Sequence, residues 1–223
     1  MSDTNYHTTK TLFAMSSEKS WDEFILFVKE FVNTKAIDDL NPVIYIKGSN
    51  KTEEEVITYF KKIVEHKTAV FEAGLELLSN YNMGFSENQL FLYNLAIHDM
   101  SKFSWEEFDG YLNWDFKTWS GDVEGFEAAW VNHKRVNPHH PEYWFTVNRS
   151  GVSKVLAMPE VYVMEMVADW IGAGKTYGSG LDVWLPANLH TFVFHQDTAI
   201  ILQKILNSLG FVTDHTETGL KVI

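Results

Sequence analysis

Apolar residues recur at intervals of three and four along most of this chain, while strict alternation is confined to short stretches, which is the pattern of amphipathic helices. Val56, Phe60, Ile63, Val70, Gly74 and Leu77 trace one such stripe. Thr52 with Glu55 forms a capping box ahead of it, and the spacing predicts a helix to about Asn80. Ser86 with Gln89 predicts the start of another, packed through Leu90, Tyr93, Leu95 and Ile97. Ser104 with Glu107 caps the next, with Phe108, Tyr111 and Leu112 turned inward. Residues 122–137 read as a helix stopped by Pro138, and Pro159 opens an almost wholly apolar one over 160–172, with Gly174 as its stop. Leu189 to Phe194 alternates, and a last helix capped by Asp197 carries Ile200, Ile201, Ile205, Leu206 and Leu209.

Ahead of these, residues 1–16 lack any period, Ser20 with Glu23 opens a helix to about Asn33, and Val43 to Ile46 reads as a short strand. The fold class expected is all-α, a helical bundle with at most short strands. Its organisation is an N-terminal arm and helix, residues 1–50, packed on a helical domain over 51–223.

Charge narrows the function. The formal net charge is -12, and Arg135 and Arg149 are the only arginines, so the chain is unsuited to displacing counterions from a nucleic-acid duplex. A small anionic substrate stays open, because a metal ion and a few local lysines outweigh a global field at short range. There is no cysteine, which excludes disulfides, zinc–thiolate sites and thiol nucleophiles and leaves metal ligation to His, Asp and Glu. No apolar run is long enough to span a bilayer, and the first residues lack the basic-then-apolar pattern of a signal peptide, so a cytoplasmic protein is expected.

The candidate chemistry gathers around Leu95-Ala96-Ile97-His98-Asp99-Met100-Ser101-Lys102-Phe103, where an apolar helix delivers an imidazole and a carboxylate together and a lysine one turn later. His66 falls three residues after Ile63 and four before Val70, on the inner face of its helix. His133 shares a face with Phe126 and Trp130. His139 and His140 stand between Pro138 and Pro141, where a stiff backbone limits the entropy lost in fixing an imidazole. Glu165 and Asp169 are four apart in the most apolar helix, and a carboxylate buried there demands a cation, a histidine or a metal as partner. Together, His66, His98, Asp99 and Asp169 could hold one metal. His133 with His139 or His140 could hold a second, bridged by Asp99. His190, His195 and His215 have no carboxylates around them and read as structural or exposed. Lys175 to Gly180 lacks the glycine frame of a phosphate loop.

The order of an inward His, His-Asp with Lys three residues on, further His and a late helical Asp resembles the HD-domain superfamily of metal-dependent phosphohydrolases, over roughly residues 56 to 175. More narrowly, His98 to Phe103, Asn137 to Trp144 and Glu165 to Trp170 look like an uncharacterised HD-like family of viruses and bacteria. The resemblance implies an HD-like bundle that hydrolyses a small phosphorylated, nucleotide-like substrate with metal-activated water, in bacterial or virus-infected cytoplasm. It implies His66, His98, Asp99 and Asp169 as first-metal ligands, Lys102 offsetting phosphate charge, and His133 with one of His139 and His140 at a second ion. The spacing of His133 from these two is much shorter than two-metal members of that superfamily usually show. Mn, Mg, Co, Fe and Zn are all candidate ions. Lys134 and Arg135 would assist at the phosphate, Glu165 or Glu142 would orient water or a ligand histidine, and Trp130, Tyr143 and Trp144 could stack a base. Self-association is open. A di-iron oxygenase of the same fold, or an interaction protein retaining a structural metal site, is the alternative.

Overall fold

The structure, a computed structural model, describes residues 52–104, 106–116, 123–215 and 220–222. The helix expected near residues 20–33 and the strand at 43–46 lie outside these. The first described helix, α1, spans Glu53–Asn80, and the Thr52–Glu55 capping box forms at its start: the Glu55 N–H donates to Thr52 Oγ1 and the Thr52 N–H to the Glu55 carboxylate. Then come α2 (Phe85–Ile97), a 3-10 turn (Met100–Phe103), α3 (Phe108–Asp115) and α4 (Val123–Val136). A second 3-10 turn (Pro141–Trp144) leads into a hairpin of β1 (Phe145–Val147) and β2 (Ser153–Val155), with Phe145 opposite Val155. The chain continues as α5 (Glu160–Tyr177), α6 (Leu181–Asn188), α7 (Gln196–Ser208) and a hairpin of β3 (Thr213–His215) and β4 (Leu220–Val222). The fold is mostly helical with short strands, as the period predicts.

The pairing of α1 with α5 is the most extensive among the described elements. It requires a close backbone approach, because a Cβ on Gly172 would lie 2.7 Å from the Val70 nitrogen. Around this pair are two apolar clusters. The larger contains Val70, Phe71 and Leu77 of α1 with Phe91, Leu92 and Leu95 of α2, Met164 and Val167 of α5, and Leu202, Ile205 and Leu206 of α7. The smaller joins Val56, Tyr59, Phe60 and Ile63 to Phe103, Phe108 and Leu112. On α1, His66 and Lys67 fall between the two clusters, so a polar layer interrupts what would otherwise be one core.

Several boundaries differ from the sequence reading, each for a local reason. The apolar helix runs past Gly174 to Tyr177 and ends at Gly178, whose φ of +87 is the left-handed stop that glycine supplies. The last helix is capped by His195, whose Nδ1 accepts from the Asp197 N–H, and not by Asp197. Helix α2 starts at Phe85 without a side-chain cap and is rotated so that Phe91, Leu92, Leu95 and Ala96 are buried and Leu90 is exposed. Helix α6 has no sequence counterpart because Pro186, inside it, reads as a breaker. Leu189–Thr191 is a 3-10 turn.

Replacing Gly172 by Ala is expected to lower stability by about 1–3 kcal/mol, from overpacking against the α1 backbone. The urea midpoint checks this. A gain of about 1 kcal/mol, as helix propensity alone gives, would show that α1 and α5 do not approach so closely.

Candidate metal centre

Five segments deliver the polar layer. Helix α1 contributes His66, the turn after α2 contributes His98, Asp99 and Lys102, α4 and the proline-flanked turn contribute His133, His139 and His140, and α5 contributes Glu165 and Asp169. The corner at His98–Asp99 is built with effort. Asp99 has a φ of +55, alone among the non-glycine residues described. The left-handed conformation costs on the order of 1 kcal/mol and is tolerated best by Asn and Asp. Lys67, fully buried on α1, fixes the same corner by donating from Nζ to the carbonyls of His98 and Ala96, which α2 leaves unpaired at its C-terminus. Burial lowers the Lys67 pKa to about 8, against the pull of Asp99 and Glu165.

Asp99 is 1% exposed and sits at the middle of the cluster. Its Oδ2 faces His66 Nε2 at 3.3 Å, His98 Nε2 at 3.6 Å and Lys102 Nζ at 2.7 Å. Asp169 Oδ1 closes that side, 3.1 Å from His66 Nε2 and 3.4 Å from His98 Nε2. The other oxygen, Oδ1, faces His133 Nε2 at 3.3 Å and His139 Nε2 at 3.5 Å. One carboxylate therefore serves two sets of imidazoles.

Carboxylates behind the imidazoles set their orientation. Glu165 Oε1 lies 3.0 Å from His98 Nδ1 and 3.3 Å from His139 Nδ1, and Glu107 Oε2 lies 2.9 Å from His133 Nδ1. Each carboxylate takes the Nδ1 side and turns Nε2 toward Asp99, the arrangement by which an outer acid orients a metal-ligating histidine. Ser101 Oγ and Asn132 Nδ2 donate to Glu107, and Asn137 Nδ2 donates to Ser101 Oγ.

Burial and charge together show that this donor set fits a cation. Asp99 Oδ1, His98 Nε2 and His139 Nε2 are buried without a hydrogen-bond partner, although His139 Nε2 faces Asp99 Oδ1 at 3.5 Å and His98 Nε2 faces Asp169 Oδ1 at 3.4 Å and Asp99 Oδ2 at 3.6 Å. Ligands bound about 2.1 Å from a shared ion stand roughly that far apart. Asp99, Glu107, Glu165 and Asp169 outweigh Lys67 and Lys102 by two negative charges, which a divalent cation or protonated imidazoles must balance. Without metal His98 takes part of that role. Burial opposes it, yet Asp99, Asp169 and Glu165 raise the His98 pKa to about 10. Burial would also raise Glu165, but hydrogen bonds from His139 and His98 lower it to about 2. His133 and His140 are pushed down, chiefly by burial.

Beside His66 and Lys102 opens a cavity of about 370 Å³, walled by Tyr59, Tyr111, Trp114, Phe126, Trp130 and Tyr177 and containing Lys62 paired to Asp115. Most residues read from the sequence for the substrate side lie away from this cavity. Of the expected aromatic wall only Trp130 lines it. Trp144 packs on the core and donates to the Pro138 carbonyl, Tyr143 and Arg135 are exposed, and Lys134 pairs with Glu142 at 3.6 Å. Glu107 is also reassigned: Ser104-x-x-Glu107 is not a capping box, since the fully buried carboxylate is spent on His133. Lys67, Glu107 and the cavity residues Tyr59, Lys62, Tyr111 and Tyr177 are unforeseen. Of the histidines set aside, His190 is exposed and His195 is the helix cap.

Fold and site thus define a helical protein with buried His, Asp and Glu clusters able to bind a metal ion. Residues 55–208 match a family described as Family of unknown function (DUF5662), and the chain belongs to it. No curated protein and no solved structure matches the chain. Among the described residues no helix is long and apolar enough to cross a membrane.

The lowered pKa of Glu165 fixes the sign of an acid effect. With the folded value near 2 and the ordinary value 4.5, its stabilisation is complete above the ordinary value and lost as pH falls through the folded one. Asp99 and Asp169, also lowered well below the usual range, act in the same direction. In chelator-treated protein, urea unfolding is expected to show stability falling below about pH 4.5, less steeply in Glu165→Gln. Equal slopes would contradict the pairing of Glu165 with His98 and His139.

Proposed function

We propose that this chain is a metal-dependent phosphohydrolase of the HD type, acting on a small, nucleotide-like phosphate ester or anhydride. The observation that carries the reading is the position of Asp99, with one oxygen toward His66, His98 and Asp169 and the other toward His133 and His139, next to a cavity that holds two lysines. The order of His66, His98, Asp99, Lys102 and Asp169 along the chain is that of the HD superfamily which the sequence resembles, while His133 and His139 stand closer together than in its two-metal members. Bound divalent ions would supply Lewis acidity, lowering the pKa of water toward neutrality and polarising a phosphoryl oxygen.

His66, His98, Asp99 and Asp169 would hold the first ion, and His133, His139 and the free oxygen of Asp99 the second. Two divalent ions would also turn the site from negative to positive, which suits a phosphate. Four imidazoles favour Mn, Fe, Co or Zn over Mg. Glu165 and Glu107 hold the Nδ1 sides of the imidazoles and would leave the Nε2 sides to ligate. Lys102 brings its ammonium to the cavity floor, within 5.5 Å of the Tyr111 ring centre, where it would meet phosphoryl oxygens. Trp114 stacks on Phe126 with ring centres 4.2 Å apart, and with Trp130 they give the cavity flat apolar faces suited to a base.

The count of four imidazoles and two carboxylates also favours a second reading, a di-iron oxygenase. Dioxygen consumption coupled to substrate turnover by iron-loaded protein separates the two, since a hydrolase consumes water and no dioxygen.

The proposal is tested by elemental analysis together with a panel of nucleotides and phosphoesters assayed with Mn, Mg, Co and Fe. Release of phosphate that is abolished by chelation is expected, and Asp169→Ala should lose metal and at least a hundredfold in rate together, the scale on which such sites depend on their ligand shell. Full metal content in Asp169→Ala would contradict the ligand assignment. Chelation that lowers the melting temperature, with no substrate ever turned over, would leave a structural metal site and overturn the enzyme.

A further inference from the structure

His140 is left over by the reading above. It lies in the turn between Pro138 and Pro141, its N–H donating to the Asn137 carbonyl at 3.1 Å and its own carbonyl accepting from the Tyr143 N–H at 3.1 Å, so its backbone is tied on both sides. Its ring centre is 4.7 Å from that of His133 and 4.4 Å from that of His139, and the edge of Trp130 packs against it. The residue reaches the surface, but Nε2 is buried and has no hydrogen-bond partner. Leaving such an atom unpaired costs on the order of 1–3 kcal/mol, so a partner is expected. One ligand atom from each of His133, His139 and His140 lies within 4.8 Å of the others.

We infer that His140 is a third imidazole ligand at the second ion, beside His133 and His139, making a site of three nitrogens. The two positions are then chemically unlike. The first has two imidazoles and two carboxylates, whereas the second is nitrogen-rich and excludes magnesium in favour of zinc, cobalt or iron. Rigid flanking prolines explain how adjacent histidines serve one ion, since His139 is aimed by Glu165 and His140 by the turn itself. The inference rests on the metal-binding part of the proposed function and not on its reaction.

Cobalt tests it, because Co²⁺ reports both number and geometry. Chelator-treated protein is titrated with Co²⁺, followed by visible absorption and by elemental analysis after gel filtration. Wild type should retain two ions per chain. His140→Ala should keep the first with its spectrum unchanged and bind the second at least tenfold to a hundredfold more weakly, with loss of its absorption bands. Retention of the first ion shows that the variant is folded. Magnesium should compete at the first position only. Two ions held by His140→Ala with unaltered affinity and spectrum would overturn the inference, as would a single ion in wild type. Two ions that need His140, in a protein that hydrolyses no phosphoester, would leave the inference standing and sink the hydrolase.

Discussion

Burying a carboxylate in an apolar helical core costs several kcal/mol unless every oxygen is satisfied, and the centre of this protein is organised around meeting that demand for Asp99. Four imidazoles and an ammonium surround it, drawn from α1, α4 and two turns. The left-handed backbone at Asp99 aims the side chain, and Lys67 holds that corner from below. The close approach of α1 and α5 at Gly172 brings together the helices that carry His66 and Asp169. Stability and site share these contacts, so a change that loosens the helix pair also spreads the ligands.

The outer carboxylates decide what kind of site this is. Glu107 and Glu165 hold the Nδ1 atoms of three histidines, and the inward Nε2 atoms of His98 and His139 have no hydrogen-bond partner. A purely structural histidine cluster would use both ring nitrogens in hydrogen bonds. The excess negative charge points the same way, since it is balanced either by protonating imidazoles or by cations. A cavity opens beside His66 and Lys102, at the edge of this cluster.

Much of this was legible from residue spacing. His66 stands in phase with the α1 stripe, and Glu165 and Asp169 lie too deep in an apolar helix to be unpartnered. Residues that depend on tertiary contact were not legible. Ser104-x-x-Glu107 has the form of a capping box, and nothing local says that Glu107 turns inward to His133. Lys67 neighbours charged positions on α1 and reads as solvated, because its carbonyl partners are about thirty residues away in another helix. Tyr143 and Trp144 follow His139 and His140 in sequence, yet the turn carries them to another face. The cavity is walled instead from α1, α3, α4 and the end of α5, elements that no local pattern connects.

The arrangement of donors around Asp99 sets where metal should sit. Crystals grown with Co²⁺ and measured at the cobalt absorption edge would locate it directly. Two anomalous peaks straddling the Asp99 carboxylate, one against His66, His98 and Asp169 and the other against His133 and His139, are expected. No peak there, or peaks only at surface carboxylates, would contradict the account.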